Sequence, residues 1–213
     1  GSTVEDGDYL LQLNGANVWV RTEFQLFTDP FTNHTMLFVS ARDITEEQTR
    51  QQDLRYRAEH DGMTGIFNRK TAEEIIQRYL RADTGRTALL MILDLDDLKA
   101  INDTFGHTEG DRAIQALVTA MRASFRADDV IGRTGGDEFV VFLPTIGDVA
   151  SIENLIASFK ERLADMRVGE RNNFAVHCSI GATLVTCGKT DFDTAYRQAD
   201  KALYSVKNSR KDG

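Results

Sequence analysis

The stretch Ala88-Leu89-Leu90-Met91-Ile92-Leu93 has no polar residue and stops abruptly at Asp94. A strand with one solvated face would alternate; an unbroken apolar run of this length is the pattern of a central strand covered on both faces. Helical and strand patterns alternate elsewhere and prolines are scarce, so the fold class expected is a layered α/β (α+β) structure. A second pair of strands is legible downstream, where Val130-Ile131 and Phe139-Val140-Val141-Phe142-Leu143 flank Gly135-Gly136. This reads as a β-hairpin with the glycines in its tight turn. Glycine there would supply positive φ and let a ligand approach the backbone.

Acid sits where strands normally bury side chains. Asp137 and Glu138 follow the turn directly, and Asp94 closes the apolar run. If the two strands are neighbours, Asp94 and Asp137 can hold two divalent cations about 3.5–4 Å apart, the arrangement used in phosphoryl transfer. An ordinary solvated hairpin is the plainer alternative for the glycines. Asp96 and Asp97 are read as capping the following helix, one or both of them.

Further segments carry a family resemblance. Asp61-Gly62-Met63-Thr64-Gly65-Ile66-Phe67-Asn68-Arg69, Lys99 to Asp111, Ser179-Ile180-Gly181 and Ala199 to Tyr204 accompany Gly135-Gly136-Asp137-Glu138-Phe139 in order and spacing. Together they resemble the GGDEF domain, the catalytic module of diguanylate cyclases, from Asp61 to near the C-terminus. The resemblance implies a palm-like nucleotide-cyclase fold, with a central mixed sheet of about five strands flanked by helices. It also implies condensation of two GTP into cyclic di-GMP across a homodimer, because each protomer holds one nucleotide.

Roles follow from the resemblance residue by residue. Asp94, Asp137 and the Leu95 carbonyl would hold two Mg²⁺, with Mn²⁺ as a substitute. Asp137 would help deprotonate the attacking hydroxyl with Glu138 beside it, and Lys99 would counter phosphate charge. Asn102 and Asp111 would read guanine, whose adjacent N–H donors suit a carboxylate acceptor. His107 would shape the turn or touch ribose. The family commonly ends K-x-x-G-R; this chain reads Lys207-Asn208-Ser209-Arg210-Lys211, so Lys207 and Lys211 are assigned to phosphate, with Arg210 as the alternative. Arg126 and Asp129 form an R-x-x-D pattern that in cyclases binds product and inhibits, with Arg162 as a further contributor. A catalytically silent receptor for GTP or cyclic di-GMP is the competing class.

The N-terminal part reads differently. Residues 1–45 contain strand-like alternation at Val18–Phe27, a turn at Asp29-Pro30 and a second strand from Thr35 to Thr45. With Trp19-Val20-Arg21 and Asp43-Ile44-Thr45, they resemble the C-terminal part of a PAS sensor, too short for a full ligand pocket. Gly1-Ser2 resembles a cloning remnant. Residues 46–60 are charged and Gln-rich, and resemble the signalling helix that joins sensors to a catalytic domain at 61–213. No stretch approaches the ~20 apolar residues of a membrane helix. A cytoplasmic location without membrane or nucleic-acid contact is therefore expected of this segment, with an anchor further upstream left open. Cys178 and Cys187 are too few for a disulfide framework. The net charge of −8 opposes an anionic substrate, so local cations must carry its binding.

Overall fold

The computed structural model describes residues 6–82, 84–169 and 174–211. The side chains of Arg210 and Lys211, two of the expected phosphate contacts, lie outside the described residues. The chain divides into two compact units, residues 1–58 and 59–213.

In the first unit, β1 (Gly7–Leu13), β2 (Ala16–Thr28) and β3 (Thr35–Asp43) form an antiparallel meander in that order. Pairing runs from Leu13↔Ala16 to Gly7↔Thr22 and from Thr28↔Thr35 to Val20↔Asp43. The first strand is an addition to the two legible in the sequence. Helix α1 (Thr45–Glu59) follows, entered through Thr45, whose Oγ1 accepts from the Trp19 N–H at 2.9 Å. The helix buries no side chain.

The second unit begins with β4 (Phe67–Asn68) and α2 (Arg69–Arg81), whose N-cap Asn68 accepts from the Thr71 N–H. The apolar run becomes β5 (Thr87–Leu95), followed by α3 (Leu98–Phe105) and α4 (His107–Ser124). The hairpin strands are β6 (Val130–Arg133) and β7 (Glu138–Leu143). Helix α5 (Val149–Asp165), a small β8–β9 pair (Arg167–Val168 and Phe174–Ala175), β10 (Cys178–Thr186) and α6 (Phe192–Lys211) complete the order.

A five-stranded mixed sheet of order β10-β5-β7-β6-β4 is the centre of this unit. Only β4 runs parallel to its neighbour; the other pairings are antiparallel. The fold expected from the resemblance is therefore present. Period-two alternation distributes β5 between two cores. Leu89, Met91, Leu93 and Leu95 pack with α4 and α5, whereas Ala88, Leu90 and Ile92 pack with α2 and α6. Two helical layers explain why the run has no polar residue. The same alternation assigns Asp94 to the α2/α6 face.

Two glycines fix how closely those helices approach. A Cβ at Gly132 would overlap the Ala72 Cβ of α2. A Cβ at Gly181 would overlap Ala199 O and Leu203 N of α6, and would lie 2.6 Å from the Leu203 Cβ. Close approach of helix to sheet is thus the reason for glycine at both positions.

Candidate active site

Asp94 is the last but one residue of β5, and strand register brings other polar groups to its side of the sheet. It pairs with Glu138 on β7 and with Ser179 on β10. The Leu95 N–H donates to the Asp137 carbonyl at 2.9 Å, joining the acid end of β5 to the residue after the glycines. Asp94 is buried, Asp137 half-buried and Glu138 exposed. The expected acidic meeting point therefore exists. Lys207 also reaches it: its ammonium lies 2.7 Å from Asp94 Oδ2. Helix α6 presents Lys207 one turn beyond Leu203, the residue packed against Gly181.

The hairpin turn departs from expectation. Strand pairing ends at Arg133↔Phe139, leaving Thr134 to Asp137 as the connection, and the Thr134 N–H donates to the Glu138 carbonyl at 2.9 Å. Neither Gly135 nor Gly136 has a left-handed φ. The positive-φ argument is thus replaced by space: a Cβ at Gly136 would meet nothing within 4 Å. With neither conformation nor packing demanding glycine there, an open approach for an outside group remains as the physical use of the residue.

Arg133 holds the turn in place. Its Nε donates to the Gly135 carbonyl at 3.1 Å and its Nη2 to the Gly136 carbonyl at 2.7 Å, while Nη1 reaches Asp61 Oδ1 at 3.1 Å. Asp61 Oδ1 also accepts from the N–H and hydroxyl of Thr64 at 2.9 and 2.6 Å. The entry segment at Asp61 to Gly65 is therefore a brace for the turn. Burial pushes the Asp61 carboxyl up, but its bonds from Thr64 and Arg133 prevail and hold it below the usual carboxylate value. Sequence reasoning assigned Arg133 no role. Its position before two glycines was a signal, but its partner lies in another part of the chain.

Asp97 occupies the N-cap position of α3 with φ 59° and makes no side-chain capping bond. Asp96 instead accepts from the Ser179 hydroxyl at 2.7 Å, and its N–H donates to the His177 carbonyl at 3.0 Å. Of the two acids expected to cap, Asp97 takes the N-cap position without a side-chain bond, and Asp96 bonds Ser179. The strand end is held to β10, and the Asp97 carbonyl accepts the first α3 bond from Ile101.

Lys99 is exposed on α3, and His107 and Asp111 are exposed on α4. Asn102 lies at the corner between those helices, half-buried. A Cβ at Gly110 would overlap Asn102 Oδ1 and sit 2.9 Å from its Cγ. Gly110 thereby lets the Asn102 amide lie beside the residue preceding Asp111. Gly106, at φ 89°, makes the turn between the helices.

Arg126 and Asp129 sit in the turn between α4 and β6. The contact is a backbone one: the Arg126 N–H donates to Asp129 Oδ2 at 2.8 Å. Burial pushes the Asp129 carboxyl up despite that bond. Both residues border two concavities, of about 320 and 190 Å³. Arg162 is exposed near the end of α5 and lines neither.

The family model described as "Diguanylate cyclase, GGDEF domain" matches residues 58–213. The chain belongs to the GGDEF family. It is 32% identical over 174 residues to "Probable diguanylate cyclase DgcC" of Escherichia coli K12, covering 81% of this chain and 47% of that protein. It is also 32% identical over 176 residues to "Cyclic di-GMP phosphodiesterase PdeR" of the same strain, covering 82% of this chain and 26% of PdeR. The chain thus spans about half the length of the first relative and a quarter of the second. Among solved structures, a microbial GGDEF domain described for its interaction mode with cyclic di-GMP is 33% identical with a TM-score of 0.62. That match covers 74% of this chain and 95% of the other.

Within this GGDEF domain the donor set favours a hard cation. Asp94, Asp137 and the Leu95 carbonyl offer oxygen only, and no cluster of three or more His, Cys, Asp or Glu side chains suited to a metal occurs among the described residues. Two carboxylates suit Mg²⁺, which keeps several waters and shares the phosphates of its substrate. Burial raises the Asp94 pKa; Lys207 opposes that shift, while Asp137 and Asp96 add to it. The residues present fit the metal. No helix among the described residues is long and apolar enough to cross a membrane.

Proposed function

We propose that this GGDEF domain is an active diguanylate cyclase module, condensing two GTP into cyclic di-GMP with release of two pyrophosphates. The observation that carries the reading is the juxtaposition of Asp94, Glu138 and the Asp137 backbone at the ends of the two central strands. Such chemistry depends on positioning and charge neutralisation. Each 3′-hydroxyl attacks the α-phosphorus of the other GTP, so two protomers face one another across a two-fold axis.

Asp137 accepts the hydroxyl proton, with Glu138 as the neighbouring carboxylate. Asn102 and Asp111, adjoining through Gly110, take the guanine edge, and His107 stands at the ribose side of the same corner. Asp111 favours GTP over ATP because it accepts from both N1–H and N2–H. Lys99 and Lys207 face the phosphates, and the family resemblance assigns Lys211 to them as well. Mg²⁺ held by Asp94, Asp137 and the Leu95 carbonyl supplies, when bound, positive charge against the phosphates and the entering oxygen.

Arg126 and Asp129 form the product-inhibition site, with Arg162 as a further contributor from outside the two concavities they border. Residues 1–45 act as the end of a PAS sensor, and 46–60 as the signalling helix that sets protomer alignment in the cytoplasm. The similarity to PdeR, named for a phosphodiesterase, favours a second reading in which the domain binds nucleotide without turnover. Incubation with GTP and Mg²⁺ over a range of protein concentrations separates the two. Cyclic di-GMP with specific activity rising with concentration supports the cyclase. Absence of product even from an artificially dimerised fusion supports the receptor.

A further inference from the structure

The Lys207–Asp94 contact joins the last helix to the centre of the sheet, at the carboxylate assigned above to the metal. Its two partners differ in freedom. Asp94 is fixed: its residue is 7% exposed, and it is flanked in register by Glu138 and Ser179. The α6 backbone is fixed too, because Ala199 and Leu203 lie directly against Gly181 with no room for a Cβ. The Lys207 side chain is 39% exposed and hangs on a flexible four-carbon stem. Its ammonium can leave Asp94 without movement of the fold.

We propose that Lys207 is the internal counter-ion of this site: its ammonium holds the cation position on Asp94 until the triphosphate of an incoming nucleotide draws it away. Nucleotide-free protein then resists divalent metal, and metal enters with the nucleotide. The inference rests on the reading of Asp94 as a metal ligand. The ammonium opposes an entering cation twice, by repulsion at short range and by occupying Oδ2 at 2.7 Å. A triphosphate offers the same ammonium a more highly charged partner. Because linkage is reciprocal, nucleotide tightens metal by the same factor that metal tightens nucleotide. The arrangement keeps a buried carboxylate compensated in the resting protein, where an unpaired buried charge is costly.

The test is Mn²⁺ binding to the whole chain without nucleotide, read from the electron paramagnetic resonance signal of free Mn²⁺. Wild type, K207Q, K207R and D94N are compared at pH 8. Removing the ammonium in K207Q should tighten Mn²⁺ at least about tenfold, while K207R, which keeps the charge, stays close to wild type. Equal or weaker binding by K207Q, with D94N losing Mn²⁺, overturns the counter-ion role and leaves the metal reading standing. If D94N binds Mn²⁺ as tightly as wild type, the metal reading itself fails and the inference falls with it.

Discussion

Replacing Gly181 with alanine tests the link between helix packing and the site. The added Cβ would lie 2.6 Å from the Leu203 Cβ and inside the contact distance of Ala199 O and Leu203 N. Optimal carbon–carbon separation is about 3.5–4.0 Å, so α6 must retreat by about 1 Å. These neighbours are mainly backbone and cannot rotate aside. Overpacking usually costs about 1–3 kcal/mol, and the upper end applies here. At roughly 2–4 °C per kcal/mol for a chain of this size, Tm should fall by about 6–12 °C. The same retreat carries the base of the Lys207 side chain away from the phosphates proposed to meet it, and misplacement of about 1 Å near reacting groups can cost about 100-fold in rate. Thermal unfolding followed by circular dichroism, with GTP turnover measured well below the midpoint, reads both effects. A Tm within about 2 °C of wild type, with turnover within about twofold, would refute the argument that Gly181 sets the position of α6.

Arg133→Lys should lower urea-unfolding stability by about 2–3 kcal/mol, since one ammonium cannot replace the fork that reaches Gly135, Gly136 and Asp61. GTP turnover should fall with it, and unchanged values of both would remove the clamp. Gly110→Ala meets side-chain atoms alone, the Asn102 amide and, less closely, Leu98 Cδ1, so KM for GTP should rise about tenfold while the melting temperature moves little; a large stability loss with unchanged KM counts against this account. Asp94→Asn has a sign set by linkage. Burial raises the native pKa of Asp94, so wild-type stability falls as pH rises from the unfolded value of about 3.9 through the raised native one, and the penalty persists at neutral pH. The variant should lose turnover yet melt at or above wild type at pH 7.5, with the difference shrinking toward pH 4. A melting point several degrees below wild type at pH 7.5 contradicts the reading.

Local patterns made the main strands and the acid positions legible. The apolar run at 88–93 announced a strand covered on both sides, and the two helical layers account for it. The hairpin was likewise readable from residue type and spacing, whereas the corner at Asn102 to Asp111 was legible only through the family resemblance. Other features depend on distant partners and leave no local trace. Arg133 meets Asp61, and Lys207 meets Asp94, across most of the domain. Gly110 and Gly181 carry no local mark of their role, since both are contact glycines set by a neighbouring chain segment. Gly135 and Gly136 err the other way, since their backbone needs no left-handed φ. Asp97 stands at the N-cap position of α3, as the helix-start pattern suggested, but without a side-chain bond, while Asp96 reaches Ser179 on a strand remote in sequence.

The order of α6 after all five strands of the central sheet also bears on biosynthesis. Strand β5 emerges from the ribosome early, but its β10 edge and the helix carrying Lys207 follow only after α4, α5 and the hairpin. Translation proceeds at about 5–20 residues per second, and pairings between remote segments form slowly. A nascent chain can therefore own every carboxylate of the site while still lacking the cation that balances Asp94. The acidic site is completed only once α6 has been made, so a polypeptide interrupted before that helix would carry the acids without Lys207.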